Sequence, residues 1–298
     1  MTSIPIRYVE PVFRPPSEAQ SLILPVTDGC SWNHCTFCEM YTAPQKAFRA
    51  RSEDEVLESI RRTGQMYGDQ IRRVFLADGD ALVLPTRRLL AILDAIRQHM
   101  PAVHRVSSYC LARNLKKKSV EELAQLRAAG LAMVYLGAES GDDTVLEKVN
   151  KGETFDTTRS ALDKLGDAGI TRSVMILNGL GGQVYSAQHA DNSARLANAT
   201  QPEYLSTLVV SFPKGEARFR EGFAEWEPLD QPGLFGEMER FLSQLELRRT
   251  VFRSDHASNW LVLKGTLGAD KEKLLAQVRQ AIAEPGGAHL RPAWARGL

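Results

Sequence analysis

The sequence has no apolar run long enough to cross a bilayer, and its charge has no dominant sign. Against 37 Lys and Arg stand 36 Asp and Glu, a formal charge of +1. The first absence excludes a helical membrane span. The second leaves no overall field to draw the chain to nucleic acid or to an anionic lipid surface. The segment Met1–Pro16 is rich in proline and charge and lacks the apolar core of a secretory signal, so the expected location is the cytoplasm. Cysteine is scarce as well. The four present are too few and too unevenly placed for the disulfide framework of a secreted domain. With 298 residues, 43% of them hydrophobic, the chain can bury a substantial core without disulfide or metal staples.

What cysteine there is lies together. Cys30, Cys35 and Cys38 fall in Asp28-Gly29-Cys30-Ser31-Trp32-Asn33-His34-Cys35-Thr36-Phe37-Cys38, with four residues between the first pair and two between the second. Thiolates are soft ligands, and three on one short loop suit an iron–sulfur cluster or zinc. Three thiols cannot pair off evenly as disulfides, and small core cysteines rarely crowd a polar loop. Zinc could complete its tetrahedron with His34. Spacing alone leaves cluster and zinc both open.

The rest of the chain alternates strand and helix. Pro5, Pro11, Pro15 and Pro16 make residues 1–20 an extended arm. The apolar run Ser21–Thr27 leads into the cysteine loop as a first strand. Ser52 with Glu55 forms a capping box for a helix carrying Val56, Leu57 and Ile60. Arg73–Ala77 is a second strand ending in Asp78-Gly79-Asp80, and Pro85-Thr86 opens the next helix. Arg105–Tyr109, Leu131–Leu136, Ile170–Leu177 and Tyr204–Phe212 are four further strands. The helices between them are capped by Ser119 with Glu122, centred on Leu162 and Leu165, and placed at Ser186–Asn198. A helix at Gly236–Leu247, a polar loop Arg253–Asn259, a strand-like run Trp260–Leu263 and a helix opened by Asp270 complete the pattern. Six such repeats predict a parallel α/β sheet with right-handed crossovers, either open or closed into a partial barrel. In both, chemistry collects beyond the C-terminal ends of the strands. The cysteine loop, Asp78-Gly79-Asp80, Glu139-Ser140-Gly141 and Asn178-Gly179 all fall there.

On these residues the chain resembles the radical S-adenosylmethionine (radical SAM) superfamily, nearest the branch of oxygen-independent coproporphyrinogen oxidase and the methylthiotransferases. The resemblance covers about residues 22–212. It implies a partial (β/α)6 TIM-like barrel over residues 21–212, with residues 213–298 as a C-terminal β/α extension packed on the same domain. It also implies a [4Fe–4S] cluster on Cys30, Cys35 and Cys38, with one iron open to SAM. The spacing departs from the common pattern, since four residues rather than three separate Cys30 from Cys35. By the same resemblance Phe37 packs near the adenine, and Asp78, Gly79 and Asp80 take the SAM ammonium, the acidic pair adding favourable charge. Glu139 and Ser140 reach the ribose or nearby groups, Lys151 suits the methionyl carboxylate, and Asn178 stands in the Gly-rich turn beside the adenine. Met175 occupies the place of an acidic ribose contact. The implied partners are a small-molecule substrate and an electron donor such as flavodoxin or ferredoxin.

Only Cys110 lies outside the loop, which disfavours a second all-cysteine cluster. Just past the third strand, Cys110 is a candidate hydrogen-atom donor or a small buried residue. Arg113 and Asp255 are candidate substrate contacts, and His256 is a candidate proton shuttle because its ordinary pKa lies near neutrality. The alternative function is a non-enzymatic metal module, with zinc or a carrier cluster on the same cysteines.

Overall fold

The computed structural model describes residues 4–297, and the chain divides into two compact bodies. One comprises the segment ending at Asn33 with Met40–Leu136 and Asp163–Arg172; the other comprises His34–Glu39, Gly137–Leu162 and the chain from Ser173 onward. The first residues of the expected arm and the last residue of the expected extension lie outside the described residues.

In the first body the strands are β1 (Leu22–Pro25), β2 (Arg73–Ala77), β3 (Arg105–Cys110) and the start of β4 (Leu131–Glu139). They are parallel in that order, with Leu22 opposite Val74, Val74 opposite Val106, and Tyr109 opposite Tyr135. Helices α1 (Glu53–Tyr67), α2 (Thr86–His99) and α3 (Val120–Ala128) separate them. Their starts follow the sequence signals. The Ser52 side chain accepts the Glu55 amide, and Ser119 and Glu122 cap each other reciprocally.

Side chains alternate across a strand, and the register sorts the two faces. Leu24, Leu76, Ser108, Val134, Leu136 and Cys110 share one face, whose apolar members are at most 2% exposed. The other face carries Phe75, Tyr109 and Tyr135, whose rings meet edge to face at 5.1–6.3 Å. Near the N-terminal ends of the strands, the Tyr135 hydroxyl meets Glu18 Oε1 at 2.6 Å and Ser17 Oγ at 2.9 Å, and Arg105 bonds the same carboxylate at 2.9 Å. The arm therefore docks on this body through polar groups. Tyr8 also donates to the Ile23 carbonyl at 3.0 Å.

In the second body, β5 (Thr171–Asn178) and β6 (Tyr204–Val209) pair in parallel, and β7 (Val251–Ser254) pairs parallel to β6. Strand β8 (Leu263–Thr266) returns antiparallel on β7. The helices are α4 (Asp143–Lys148), α5 (Phe155–Asp167), which continues into the first body, α6 (Gly182–Thr200), α7 (Ala217–Arg220), α8 (Gln231–Gln244) and α9 (Lys271–Ala283). Val145, Val149, Leu177, Leu180, Phe219, Phe223 and Trp226 form one apolar core here.

Three expectations shift. The strand expected at Trp260–Leu263 begins only at Leu263, because its partner is Val251–Ser254, a strand hidden by its brevity and by the exposed Arg253. Helix α8 starts five residues before Gly236, where Asp230 accepts the Gly233 amide at 2.8 Å and Pro232 fits the first turn. Asp270 precedes α9 without capping it, since its carboxylate turns back to the Thr266 amide at 2.7 Å.

Candidate functional site

In the first body the start of the cysteine loop is clamped at Gly29. Its φ is +70°, and a Cβ there would lie 2.0 Å from the Lys46 carbonyl, so only glycine fits. Gly29 donates to Asp78 Oδ2 at 3.1 Å, and its carbonyl accepts the Gly79 amide at 3.0 Å. Gly79 approaches just as closely, since a Cβ on it would stand 2.7 Å from the Cys30 Cα. Asp78 Oδ2 also takes Lys46 Nζ at 2.6 Å in an almost fully buried pair, while Asp78 Oδ1 is buried without a partner. Burial raises the Asp78 pKa despite Lys46 and the Gly29 amide. Asp80 serves the loop itself. Its Oδ1 accepts the Ser31 amide at 2.8 Å, and its Oδ2 accepts Ser31 Oγ at 2.5 Å and Asn114 Nδ2 at 2.9 Å. The two carboxylates are thus anchors within the chain rather than a bare acidic pair.

The four-residue gap has a local explanation. Ser31 is held by Asp80, the Arg113 guanidinium stacks 3.5 Å from the Trp32 ring centroid, and Asn33 adopts φ +49° while its Nδ2 donates to the Tyr41 carbonyl at 2.9 Å. Asparagine tolerates the left-handed region, so Asn33 takes this bend at little cost.

In the second body the loop continues through Cys35, which is buried, and Cys38, which is half-buried; none of the four cysteines forms a disulfide. The Thr36 amide donates to the Val149 carbonyl at 3.0 Å, and Phe37 packs partly buried against the Val145–Trp226 core. Lys151 Nζ lies 3.3 Å from Glu139 Oε1, with both side chains nearly inaccessible. Burial alone would lower the Lys151 pKa, but Glu139, Cys35 and Glu153 together outweigh it and hold the ammonium protonated. Glu139 sits at φ +65°, and its Oε2 is buried without a partner. Gly137 permits this, since a Cβ there would be 2.0 Å from Glu139 Oε1. Among the described residues no three His, Cys, Asp or Glu side chains already stand as a metal-ligand group. In each body taken by itself the donor chemistry suits a cluster and its cosubstrate: Cys30 with the orphaned buried Asp78 Oδ1 in the first, Cys35 and Cys38 with the orphaned buried Glu139 Oε2 in the second, both oxygens being able to accept ammonium or hydroxyl protons.

Other expected residues are placed differently. Ser140 Oγ meets His189 Nδ1 at 2.8 Å and accepts the Asp142 amide at 2.9 Å. His189 Nε2 donates to the Leu177 carbonyl at 3.0 Å and lies 3.8 Å from Glu237 Oε1. Asn178 Nδ2 reaches the Leu234 carbonyl at 3.3 Å, and the Gly179 amide donates to Glu237 Oε1 at 2.6 Å. Met175 is half-buried, opposite Ser206. Cys110 lies on the face of Leu136, opposite the one carrying Tyr109 and Tyr135, and its thiol meets the Leu111 carbonyl at 3.3 Å. Asp255 pairs with Lys264 at 2.9 Å on the surface.

His256 Nδ1 accepts the Ser258 amide at 3.2 Å and meets Ser258 Oγ at 2.9 Å, in a loop whose Asn259 Oδ1 takes the amide of Val209 at the end of β6. Arg291 grips this loop through the His256 and Asn259 carbonyls. Burial, then Arg291, pushes the His256 pKa down. Protonation would forfeit the Ser258 amide bond, so His256 works here as a neutral loop fastener. A depressed folded-state pKa means the unfolded chain binds the proton first. Stability from this loop is therefore full above the ordinary histidine pKa of about 6.5 and falls with pH below it. Amide protection factors across 255–259, taken relative to intrinsic exchange, are expected to fall from pH 7.5 to 5.5, and His256→Asn should remove that dependence.

Lys46, Arg218, His189 and Glu237 were not singled out by sequence. Each is an ordinary polar residue in a polar or amphipathic stretch, and only the tertiary fold gives it a partner.

A family model for the radical SAM superfamily matches residues 24–194. The heme chaperone HemW of Bacillus subtilis (strain 168) is 22% identical over 184 residues, covering 59% of this chain and 47% of HemW. The chain thus spans about half the length of the curated relative it matches. Coproporphyrinogen III oxidase (HemN) from Escherichia coli aligns with TM-score 0.58 at 14% identity over 75% of this chain and 52% of HemN. Methylornithine synthase (PylB) aligns with TM-score 0.54 at 15% identity over 91% of this chain and 74% of PylB. At such identities the likeness carries the fold, and it is the α/β partial-barrel class that the family resemblance implied, one of the two architectures the strand pattern left open. No helix among the described residues is long and apolar enough to cross a membrane.

Proposed function

The chain belongs to the radical SAM superfamily, and we propose that it reductively cleaves SAM at a [4Fe–4S] cluster held by Cys30, Cys35 and Cys38 and uses the radical to take a hydrogen atom from a small organic substrate. The family uses both cofactors. When bound, the reduced cluster supplies the electron that splits the sulfonium into methionine and a 5′-deoxyadenosyl radical.

The chain's own residues would bind and orient. Cys30, Cys35 and Cys38 would hold the cluster through their thiolates. Lys151, kept protonated among Glu139, Glu153 and Cys35, offers its charge to the methionyl carboxylate. Glu139 Oε2 accepts a ribose hydroxyl, and Ser140 holds the strand end in place through His189. The Asp78–Lys46 pair fixes the Gly79 ridge, whose backbone carbonyls would take the ammonium; Phe37 and the turn at Asn178 would contact the adenine. Arg113, over the Trp32 ring, and Asp255 are candidate contacts for an anionic or polar group of the substrate. A low-potential donor such as flavodoxin or ferredoxin would supply the electron.

The observation that carries this reading is the buried Glu139–Lys151 pair with one carboxylate oxygen unsatisfied, inside the segment that matches the family. A buried acceptor without a partner costs about 1–3 kcal/mol, and a bound ribose hydroxyl relieves that cost. The test is anaerobic reconstitution with iron and sulfide, followed by dithionite and SAM. Release of 5′-deoxyadenosine is expected; a fully loaded protein that releases none overturns the proposal. Deuterium carried into 5′-deoxyadenosine from labelled cell metabolites would then identify the substrate.

A further inference from the structure

The Cys35–Cys38 half of the loop is held by a segment that no sequence motif marks. Beyond β6, residues 212–226 fold over on themselves. The Phe212 and Phe219 ring centroids lie 4.6 Å apart, Phe212 meets Trp226 edge-on at 5.5 Å, and Phe219 and Phe223 are fully buried. Arg220 Nη1 donates to the Trp226 carbonyl at 2.8 Å, and Trp226 Nε1 reaches the Gly179 carbonyl at 3.3 Å. This stiffened segment then grips the cysteine loop. Arg218 Nη1 donates to the Cys38 carbonyl at 2.5 Å, the Lys214 amide donates to Glu39 Oε2 at 3.1 Å, and Lys214 Nζ reaches the Glu39 carbonyl at 3.4 Å. Gly222 lets the two chains meet, since a Cβ there would lie 2.3 Å from the Lys148 carbonyl and 3.9 Å from the Thr36 methyl.

We propose that residues 212–226 are a strap that fixes the Cys35–Cys38 turn, with Arg218 as the positioning residue for Cys38. The inference rests on the reading of these cysteines as cluster ligands. The peptide after Cys38 cannot rotate while its carbonyl is held by a guanidinium, and the Cys38 amide closes the turn onto the Cys35 carbonyl at 3.2 Å. Both thiolates therefore leave a backbone of set direction, and a cation stands beside a ligand set of net negative charge. Groups that orient metal ligands in this way govern how firmly the metal is kept.

The experiment follows iron release from the reconstituted full chain to a ferrous chelator, and bleaching of its visible absorption in air. Arg218→Gln removes the cation and Arg218→Lys retains it. Gly222→Ala forces the strap from its seat without touching Arg218. Roughly tenfold faster iron loss is expected for Arg218→Gln and Gly222→Ala, with partial rescue in Arg218→Lys and unchanged far-ultraviolet dichroism in the Arg218 variants. Iron loss within twofold of wild type in both Arg218→Gln and Gly222→Ala overturns the strap. A wild-type chain that takes up no cluster overturns the underlying reading instead, and the strap's role with it.

Discussion

Cys35→Ala is expected to leave a protein that emerges colourless from anaerobic reconstitution and releases no 5′-deoxyadenosine, whereas His34→Ala should stay brown and active. The two residues are sequence neighbours with opposite surroundings: Cys35 is buried and His34 is exposed. A cubane needs three protein thiolates to leave a single open iron, and two cannot hold it in a defined orientation. Lys151 adds to the effect, because its ammonium lies in the field of Cys35 and stabilises the thiolate that alanine removes. Zinc would behave oppositely. A tetrahedral Cys3His site would draw on His34, and its loss would weaken the metal without any colour to bleach. Iron, sulfide and zinc analysis of the two variants decides the matter. A colourless wild type with one zinc, bound more weakly in His34→Ala, would replace the enzyme with a metal module.

The strands that carry the site were legible because they are short apolar runs between turn signals. Arg73–Ala77 has the predicted limits, and the other barrel strands lie within a few residues of theirs. The helix starts were legible where a side chain makes the cap, as at Ser52 and Ser119. Legibility fell where pairing or partner choice depends on distant chain. Strand β7 has only four residues to show its alternation. Lys46, which nothing in the sequence singles out, is entirely buried on Asp78. Asp80 read as a charge for a ligand and proves to be the tether of Ser31. Gly29, which the sequence does not single out, and Gly79 both mark close backbone approaches in the structure.

Among the described residues, Lys46 with Asp78 in the first body and Lys151 with Glu139 in the second are almost inaccessible lysine–carboxylate pairs. Such pairs are poor stabilisers, because desolvation offsets most of the attraction, yet breaking one is costly. Their value is positional. Lys46–Asp78 fixes Gly29 and with it the origin of the cysteine loop. Lys151–Glu139 holds a carboxylate at the end of β4 in a backbone conformation that non-glycine residues rarely adopt.

Lys151→Met is accordingly expected to be the most damaging single substitution, and adding Glu139→Gln should restore much of the stability but none of the activity. With Lys151 gone, the Glu139 carboxylate is buried with neither oxygen compensated, which costs roughly 3–5 kcal/mol. Burial already raises the Glu139 pKa, and Lys151 is the main force opposing that rise, so in Lys151→Met the carboxyl moves further toward its neutral form. An acid whose folded pKa exceeds its unfolded value of about 4.3 loses stability as pH rises from the unfolded pKa to the folded one. The Lys151→Met penalty in anaerobic urea unfolding should therefore be smallest near pH 5 and largest near pH 8, and the double variant, which has no carboxyl to titrate, should show little pH dependence there. Both variants lack a cation for the methionyl carboxylate and should release no 5′-deoxyadenosine. Wild-type stability of Lys151→Met at pH 8 would mean that the pair is not a buried ion pair. Recovery of activity in the double variant would mean that Lys151 serves Glu139 alone and not the cosubstrate.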